Sequence, residues 1–459
     1  MAAAADHAGV NSRSESRVAS RCIAIALALG VSSTAAAQPQ PDPPGDGQET
    51  PTPATPPTPT PATPPDAPTA PARPRDAPAP PKVEPATDLG ASIRRYTRLR
   101  AGPFEFLPLL LIQAEGLPYV GADSLSASGD QADGAGFRLQ RGRFGIEVGI
   151  GTKDESKEGW HTQARGRFSV ELGSREDGAA RVQDAWLAYV GFPYVQVVAG
   201  AQTIPFTRSS IAGSGNQALA DKPLSVRAMA PGQQVGAIVR GDVSVERDGV
   251  TRDLVSYDVG LFNGLSRSDQ FFGGFAQNFA PLGNRFEGIA VVGRVSTAPV
   301  GRLDATIADL RHERPRFGLG ADYFYSDGGA RGIHGASFDA LIHAVGFHLL
   351  AEGVLTYASP KTQPTEPIQQ VAPITSFGVV GEAGYEIVRN LFGLAARFEY
   401  LDADSNVDDE GDTWLVTGGA HVEFLDGIVR VEAEYTHREE VFGASLENDA
   451  VLFQAQLHL

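Results

Sequence analysis

Cysteine is almost absent: Cys22 is the single one in 459 residues, and it lies in a stretch with the charge and hydropathy of an export signal. A chain that loses that stretch keeps no disulfide and no thiol chemistry. Cys22 follows Arg21 directly, without the apolar and small residues that precede a lipidated cysteine. Also missing beyond the N-terminal region is any run of about eighteen uncharged apolar residues, which rules out spanning helices. Clustered cations are lacking too: the formal charge is -17, which argues against nucleic acid, because phosphate backbones require grouped basic residues that displace counterions. Lysine is scarce, and the basic residues are overwhelmingly Arg. His343, His348 and His437 take no metal-ligand spacing, and no Ser-His signature nominates a hydrolase, so neither an enzyme nor a metal or cofactor site is expected. The acidic run Asp402-Ala-Asp-Ser-Asn-Val-Asp-Asp-Glu-Gly-Asp412 has the alternating carboxylates of a calcium loop. It lacks the glycine and closing glutamate of that motif, and reads as an acidic external hairpin tip.

What is present begins with punctuation. Arg17 and Arg21 precede an apolar stretch over 22–31, and Ala35-Ala36-Ala37 follows, so 1–37 reads as a secretory signal with cleavage after Ala37. The polar residues ahead of Arg17 are atypical of a signal, and an internal start is the alternative. Residues 38–90 are mostly Pro, Thr, Ala and Asp, which cannot bury a core; they predict a disordered, polyproline II-like tether. At about 3.1 Å per residue it would reach on the order of 140 Å, as a passive spacer or a cell-wall contact. Residues 91–103 form a basic lead-in carrying Arg94, Arg95, Arg98 and Arg100.

From Phe104 onward the rule is alternation. In 414–424, Trp414, Val416, Ala420, Val422 and Phe424 are apolar, while Thr417, Gly419, His421 and Glu423 fill the places between. After the hairpin signal Asp426-Gly427 the same pattern runs through Val429, Val431, Ala433 and Tyr435, and again through Val451, Phe453, Ala455 and Leu457. A soluble sandwich would alternate likewise. Strand length separates the two: these strands reach roughly ten residues, the span of a tilted strand across hydrocarbon, against about five or six in soluble sheets. About sixteen such strands fit between 104 and 459, near 104–115, 137–150, 160–172, 182–190, 194–202, 234–246, 252–263, 286–297, 316–325, 335–343, 346–357, 374–387, 391–402, 413–425, 428–438 and 450–459. Very short connections such as 191–193 and 426–427 alternate with long ones such as 203–232 and 264–285, the asymmetry of barrels in an outer membrane. Two connections break this rhythm, 151–159 and especially 298–315: they should be short and are not. The chain is thus expected to be an all-β, antiparallel transmembrane barrel with its apolar face to lipid and its charged face to a lumen. Inward Gly378, Gly384 and Gly419 favour an open lumen over a plugged one.

Several motifs resemble the phosphate-selective porin family O and P. They are Phe137-Arg-Leu-Gln-Arg-Gly-Arg-Phe144, Gln183-Asp-Ala-Trp-Leu-Ala-Tyr189, Val198-Ala-Gly-Ala-Gln-Thr-Ile-Pro-Phe206, Pro231-Gly-Gln-Gln-Val-Gly236 and Tyr257-Asp-Val-Gly-Leu-Phe-Asn-Gly264. The resemblance, taken over 104–459, implies a sixteen-stranded, trimeric porin that passes small solutes, prefers anions such as phosphate, and folds one loop into its lumen. Two departures stand out: Gln233 occupies a place where the family often has Arg, and a Pro-rich tether replaces the coiled coil of some members.

A porin's mechanism is the shape and charge of a wet constriction. The expected cationic lining is Arg141, Arg143, Arg165, Arg167, Arg294, Arg397 and Arg430, all on inner rows; the expected constriction loop, 203–233, adds Arg208, Lys222 and Arg227, with Asp221 against them. Arg offers two-point contact to phosphate or carboxylate and stays charged. Inward Glu147, Glu171, Glu352, Glu382, Glu386, Glu399, Glu432 and Glu434 are expected to pair with many of these Arg across strands. The competing reading is a structural or adhesive barrel with a plugged lumen and a cell-wall-bound tether.

Overall fold

The computed structural model describes Ile93 and residues 97–459, apart from 122–133, 155–158, 173–179, 193, 268–274, 277–287, 304, 313, 363–370 and 410. The signal segment and the tether predicted for 1–37 and 38–90 lie outside the described residues.

Sixteen antiparallel strands form the wall: β1 (Phe104–Val120), β2 (Gly136–Asp154), β3 (Gly159–Leu172), β4 (Arg181–Phe192), β5 (Val195–Thr203), β6 (Gln233–Arg247), β7 (Val250–Asn263), β8 (Ile289–Ala298), β9 (Arg316–Ser326), β10 (Arg331–Ala344), β11 (Phe347–Pro360), β12 (Ile374–Val388), β13 (Phe392–Asp402), β14 (Thr413–Phe424), β15 (Val429–Glu440) and β16 (Ala450–His458). Each pairs with its sequence neighbour, and β16 returns to β1 with Gln456 opposite Gln113, which closes the ring. Closure satisfies every ladder without a free edge, the condition for β-structure in a bilayer. β1 continues to Val120, past its expected end near 115, and β10 begins at Arg331 rather than 335. Within the lead-in, Leu99 pairs with Phe106, and Arg98 and Arg100 reach Glu105 at 3.5 and 2.8 Å.

The alternation sorts as the sequence predicts. Along β11, Phe347, Leu349, Ala351, Leu355 and Tyr357 are exposed while His348, Leu350, Glu352, Val354 and Thr356 are buried. Leu187 on β4 is 73% exposed and Phe338 on β10 is 53% exposed. An apolar belt of this extent suits hydrocarbon and would aggregate in water. The hairpins Asp248-Gly249 and Val345-Gly346 place both residues at positive φ, at 55° and 70° and at 53° and 89°. This handedness matches the strand twist. Glycine takes it freely, whereas β-branched Val345 does so with Gly346 N–H donating to Asp309 Oδ2 at 2.7 Å.

That Asp309 belongs to the longer connection that broke the rhythm. The described residues of 299–315 fold back into the end of the barrel that carries the short turns. Ile307 and Ala308 are buried against Leu341, Leu350 and Ala395 of the inner wall. His343 Nε2 lies 2.7 Å from Ile307 O, and Asn390 N–H donates to Leu310 O at 3.0 Å. The extra length forms a plug segment.

Candidate functional site: a half-filled lumen

The connection between β5 and β6, residues 204–232, turns into the barrel. It carries two short helices, α1 (Arg208–Ala212), capped by Thr207 Oγ1 accepting from Ser210 N–H, and α2 (Leu224–Met229). Ile204, Phe206, Leu224, Val226 and Met229 are at most 2% exposed. They pack on inward Ile238, Phe262, Val292, Phe324, Val354, Leu401 and Leu415, with the Phe206 and Phe324 rings 5.0 Å apart edge to face. Each such side chain gains about 1.5–3 kcal/mol by leaving water. A lumen wall that only met water would have no use for these residues. Their sequence signal is an apolar residue at both phases of a strand, as in Tyr323-Phe324-Tyr325 and Leu349-Leu350.

Polar anchoring comes from the wall's carboxylates. Asp322 on β9 accepts from Thr207 N–H at 3.1 Å, Glu352 on β11 from Ser209 N–H at 2.8 Å, Glu399 on β13 from Leu224 N–H at 2.5 Å, and Glu434 on β15 from Ala220 N–H at 2.5 Å. Glu352 also accepts from the Ser209 hydroxyl, and Asp339 from Arg208 Nε at 2.8 Å. Charge-assisted bonds to otherwise orphan backbone donors are the strong kind. Gly378 and Gly419, expected to widen the lumen, admit the loop instead: a Cβ at Gly378 would stand 2.4 Å from Ser225 Cβ, and one at Gly419 would stand 2.9 Å from Leu219 Cδ2. Gly384 gives room to the His348 ring, 2.2 Å from the place of its absent Cβ.

The loop therefore lies along β6–β15 and leaves space beside the β1–β4 wall. There a cavity of about 480 Å³ is lined by Arg141, Arg143 and Arg167 of the wall and by Lys222 and Arg227 of the loop, against the side-chain carboxylates Glu171 and Asp184. A second, of about 340 Å³, shares Gly215, Asn216, Ala305, His458 and Leu459 with the first, so the two meet at the loop tip. The tip is held by the plug segment, with Ile307 N–H donating to Asn216 O at 3.0 Å.

The cations are partly paired. Arg141 reaches Asp221 at 2.9 Å, Arg227 reaches the same carboxylate at 3.4 Å, Arg143 reaches Glu171 at 2.8 Å, and Arg167 reaches Asp184 at 3.3 Å. Burial alone would raise the Asp221 carboxyl, but Arg141 and Arg227 outweigh it and hold it well below the usual range. Lys222 Nζ donates to Ser210 O at 3.0 Å; burial, reinforced by Arg141 and Arg143, lowers it to about 8. The sign follows: below pH 8 Lys222 is charged, and above it the charge is lost. The anion-to-cation permeability ratio is expected to fall about twofold as pH rises from 6.5 to 9.5, measured by reversal potential in potassium chloride; Lys222→Arg should keep it flat.

The other Arg predicted from inner rows lie elsewhere. Arg165 points inward nearer the short-turn end, its side chain 52% exposed and 4.0 Å from Glu147. Arg294 is buried between Asp322 and Asp339 at 2.6 and 2.7 Å. Arg397 sits behind the loop, paired with Glu399 at 2.7 Å and Glu382 at 3.4 Å, and donates to Asp221 O. Arg430 donates to Gln217 O and Ala218 O at 2.6 and 2.5 Å. Gln233 lines the larger cavity. At the hairpin tip after β13, Asp412 is raised to about 6 by burial and by Asp409. Among the described residues no group of three or more metal-binding side chains converges.

Residues 120–269, from the end of β1 to just past β7, match the family model for phosphate-selective porin O and P. Over that third of its length the chain is similar to the porin family. All five motifs quoted above fall within the match, which is narrower than the 104–459 expected for the resemblance. No curated protein matches in sequence. Among solved structures the chain is similar to the outer-membrane-expressed OmpT of Vibrio cholerae (11% identity, 79% of this chain and 100% of that one, TM-score 0.49). It is also similar to the anion-selective porin of Comamonas acidovorans (10%, 77% and 98%, 0.48) and to the outer membrane channel DcaP of Acinetobacter baumannii (12%, 79% and 99%, 0.48). The matched segment and the closed sixteen-strand barrel support an outer-membrane channel for small solutes.

Proposed function

We propose that solutes pass along the β1–β4 side of the lumen and that the pore prefers small anions, phosphate among them. One observation carries this: the larger cavity gathers Arg141, Arg143, Arg167, Lys222 and Arg227 against Glu171 and Asp184, with Asp221 paired to Arg141 and Arg227, a local cationic excess inside a chain of net charge -17. A cation-lined, low-dielectric neck concentrates anions and lowers their entry barrier. Arg294, Arg397 and Arg430 serve instead to hold the loop, because their donors are taken by wall carboxylates or loop carbonyls. The family resemblance extends the proposal to a homotrimer, with the N-terminal tether as a spacer.

Purified protein in a planar bilayer with a potassium chloride gradient should give discrete conductance, an anion-selective reversal potential, and a chloride current reduced by added phosphate. Cation selectivity would mean that the carboxylates govern the path. No conductance would favour a structural, plugged barrel.

A further inference from the structure

We propose that the neck is built for an organic anion with an apolar body, an aromatic or branched carboxylate, more than for a bare inorganic ion. This rests on the anion reading above and names its substrate class. The inner row of β1 carries Leu107, Leu109 and Leu111, with Leu111 directly across from Arg143 in the β1–β2 ladder. Leu109 and Leu111 both line the larger cavity. From the loop, α1 turns Ile211 into the same cavity, 46% exposed, while its neighbours Ser209, Ser210 and Ala212 are buried.

A wet passage for inorganic ions gains nothing from a large aliphatic side chain held in water. An apolar surface beside a few placed cations is the composition of a small-molecule site, and a volume near 480 Å³ lies in the range of such sites. The carboxylate would meet the Arg143 guanidinium while the body removes Ile211 and Leu109 from water. Neutral apolar solutes would leave the cations unserved, and phosphate would leave the apolar faces wet.

The test uses the full chain in planar bilayers carrying a chloride current, with benzoate, acetate and inorganic phosphate added separately. Benzoate and acetate share a charge and differ in apolar body. Benzoate is expected to half-block at about a tenfold lower concentration than acetate, and lower than phosphate. Ile211→Ser, at an exposed position, should bring the benzoate-to-acetate ratio close to one, and Leu109→Ser should reduce it. Equal block by benzoate and acetate with anion selectivity intact would overturn this inference and leave the anion reading standing. Stronger block by phosphate would assign the neck to inorganic anions and overturn it as well. A cation preference would remove the reading on which it rests, and the inference with it.

Discussion

Replacing Arg143 and Arg167 together with Glu is expected to turn the anion preference of the pore into a cation preference. Both side chains line the larger cavity, and each faces one carboxylate, Glu171 at 2.8 Å and Asp184 at 3.3 Å. The double substitution changes the local charge by four units and leaves those two carboxylates without their cationic partners. A unit charge a few ångströms from a permeating ion is worth about 1 kcal/mol even at the dielectric of water, and more in a narrow neck. The permeability ratio should therefore move by well over tenfold, read from the reversal potential in a salt gradient. Arg165→Glu is the matched control: it faces the same lumen, but its side chain is 52% exposed and lies outside the larger cavity's lining, so its effect should be several-fold smaller. If the double variant kept the wild-type ratio, the conducting path would not run along β2 and β3.

Excising 208–229 and bridging the gap with a short Gly-Ser linker is expected to raise single-channel conductance several-fold and to shift selectivity toward cations. The first effect follows from volume, because the loop fills the lumen beside β6–β15. The second follows from what the loop covers: Asp339, Glu352, Glu399 and Glu434 would lose their loop donors and face water as carboxylates. The wall itself should persist, since its strands close through backbone ladders that owe nothing to the loop. An unchanged conductance would move the narrow point to the plug segment at 299–315, which supports the loop tip through Ile307 and Asn216.

The arginine rows show where reading a sequence stops. Alternation with a period of two assigns Arg143, Arg294 and Arg397 alike to the inner face, and all three face inward. It says nothing about what stands in front of them. Arg143 meets the cavity, whereas Arg294 and Arg397 are covered by a loop that begins far away in the chain. The inward carboxylates follow the same division. Glu171 pairs across strands as expected, while Glu352 and Glu434 take loop N–H groups, an outcome invisible to cross-strand register. The glycines at 378 and 419 mislead for a related reason: a missing side chain makes room, and the sequence does not say whether water or protein fills it.

By itself the sequence determined the wall: strand number, facing, the hairpin turns and the lipid-facing belt all follow from local alternation and turn chemistry, which act within a few residues. Only the tertiary structure decided the lumen. Its contents depend on bonds such as Ser209 to Glu352 and Ala220 to Glu434, 143 and 214 positions apart, and on a connection at 299–315 that folds inward because Ile307 and Ala308 find apolar partners there. Such contacts are fixed by closure of the ring, which brings distant strands face to face across one enclosed space.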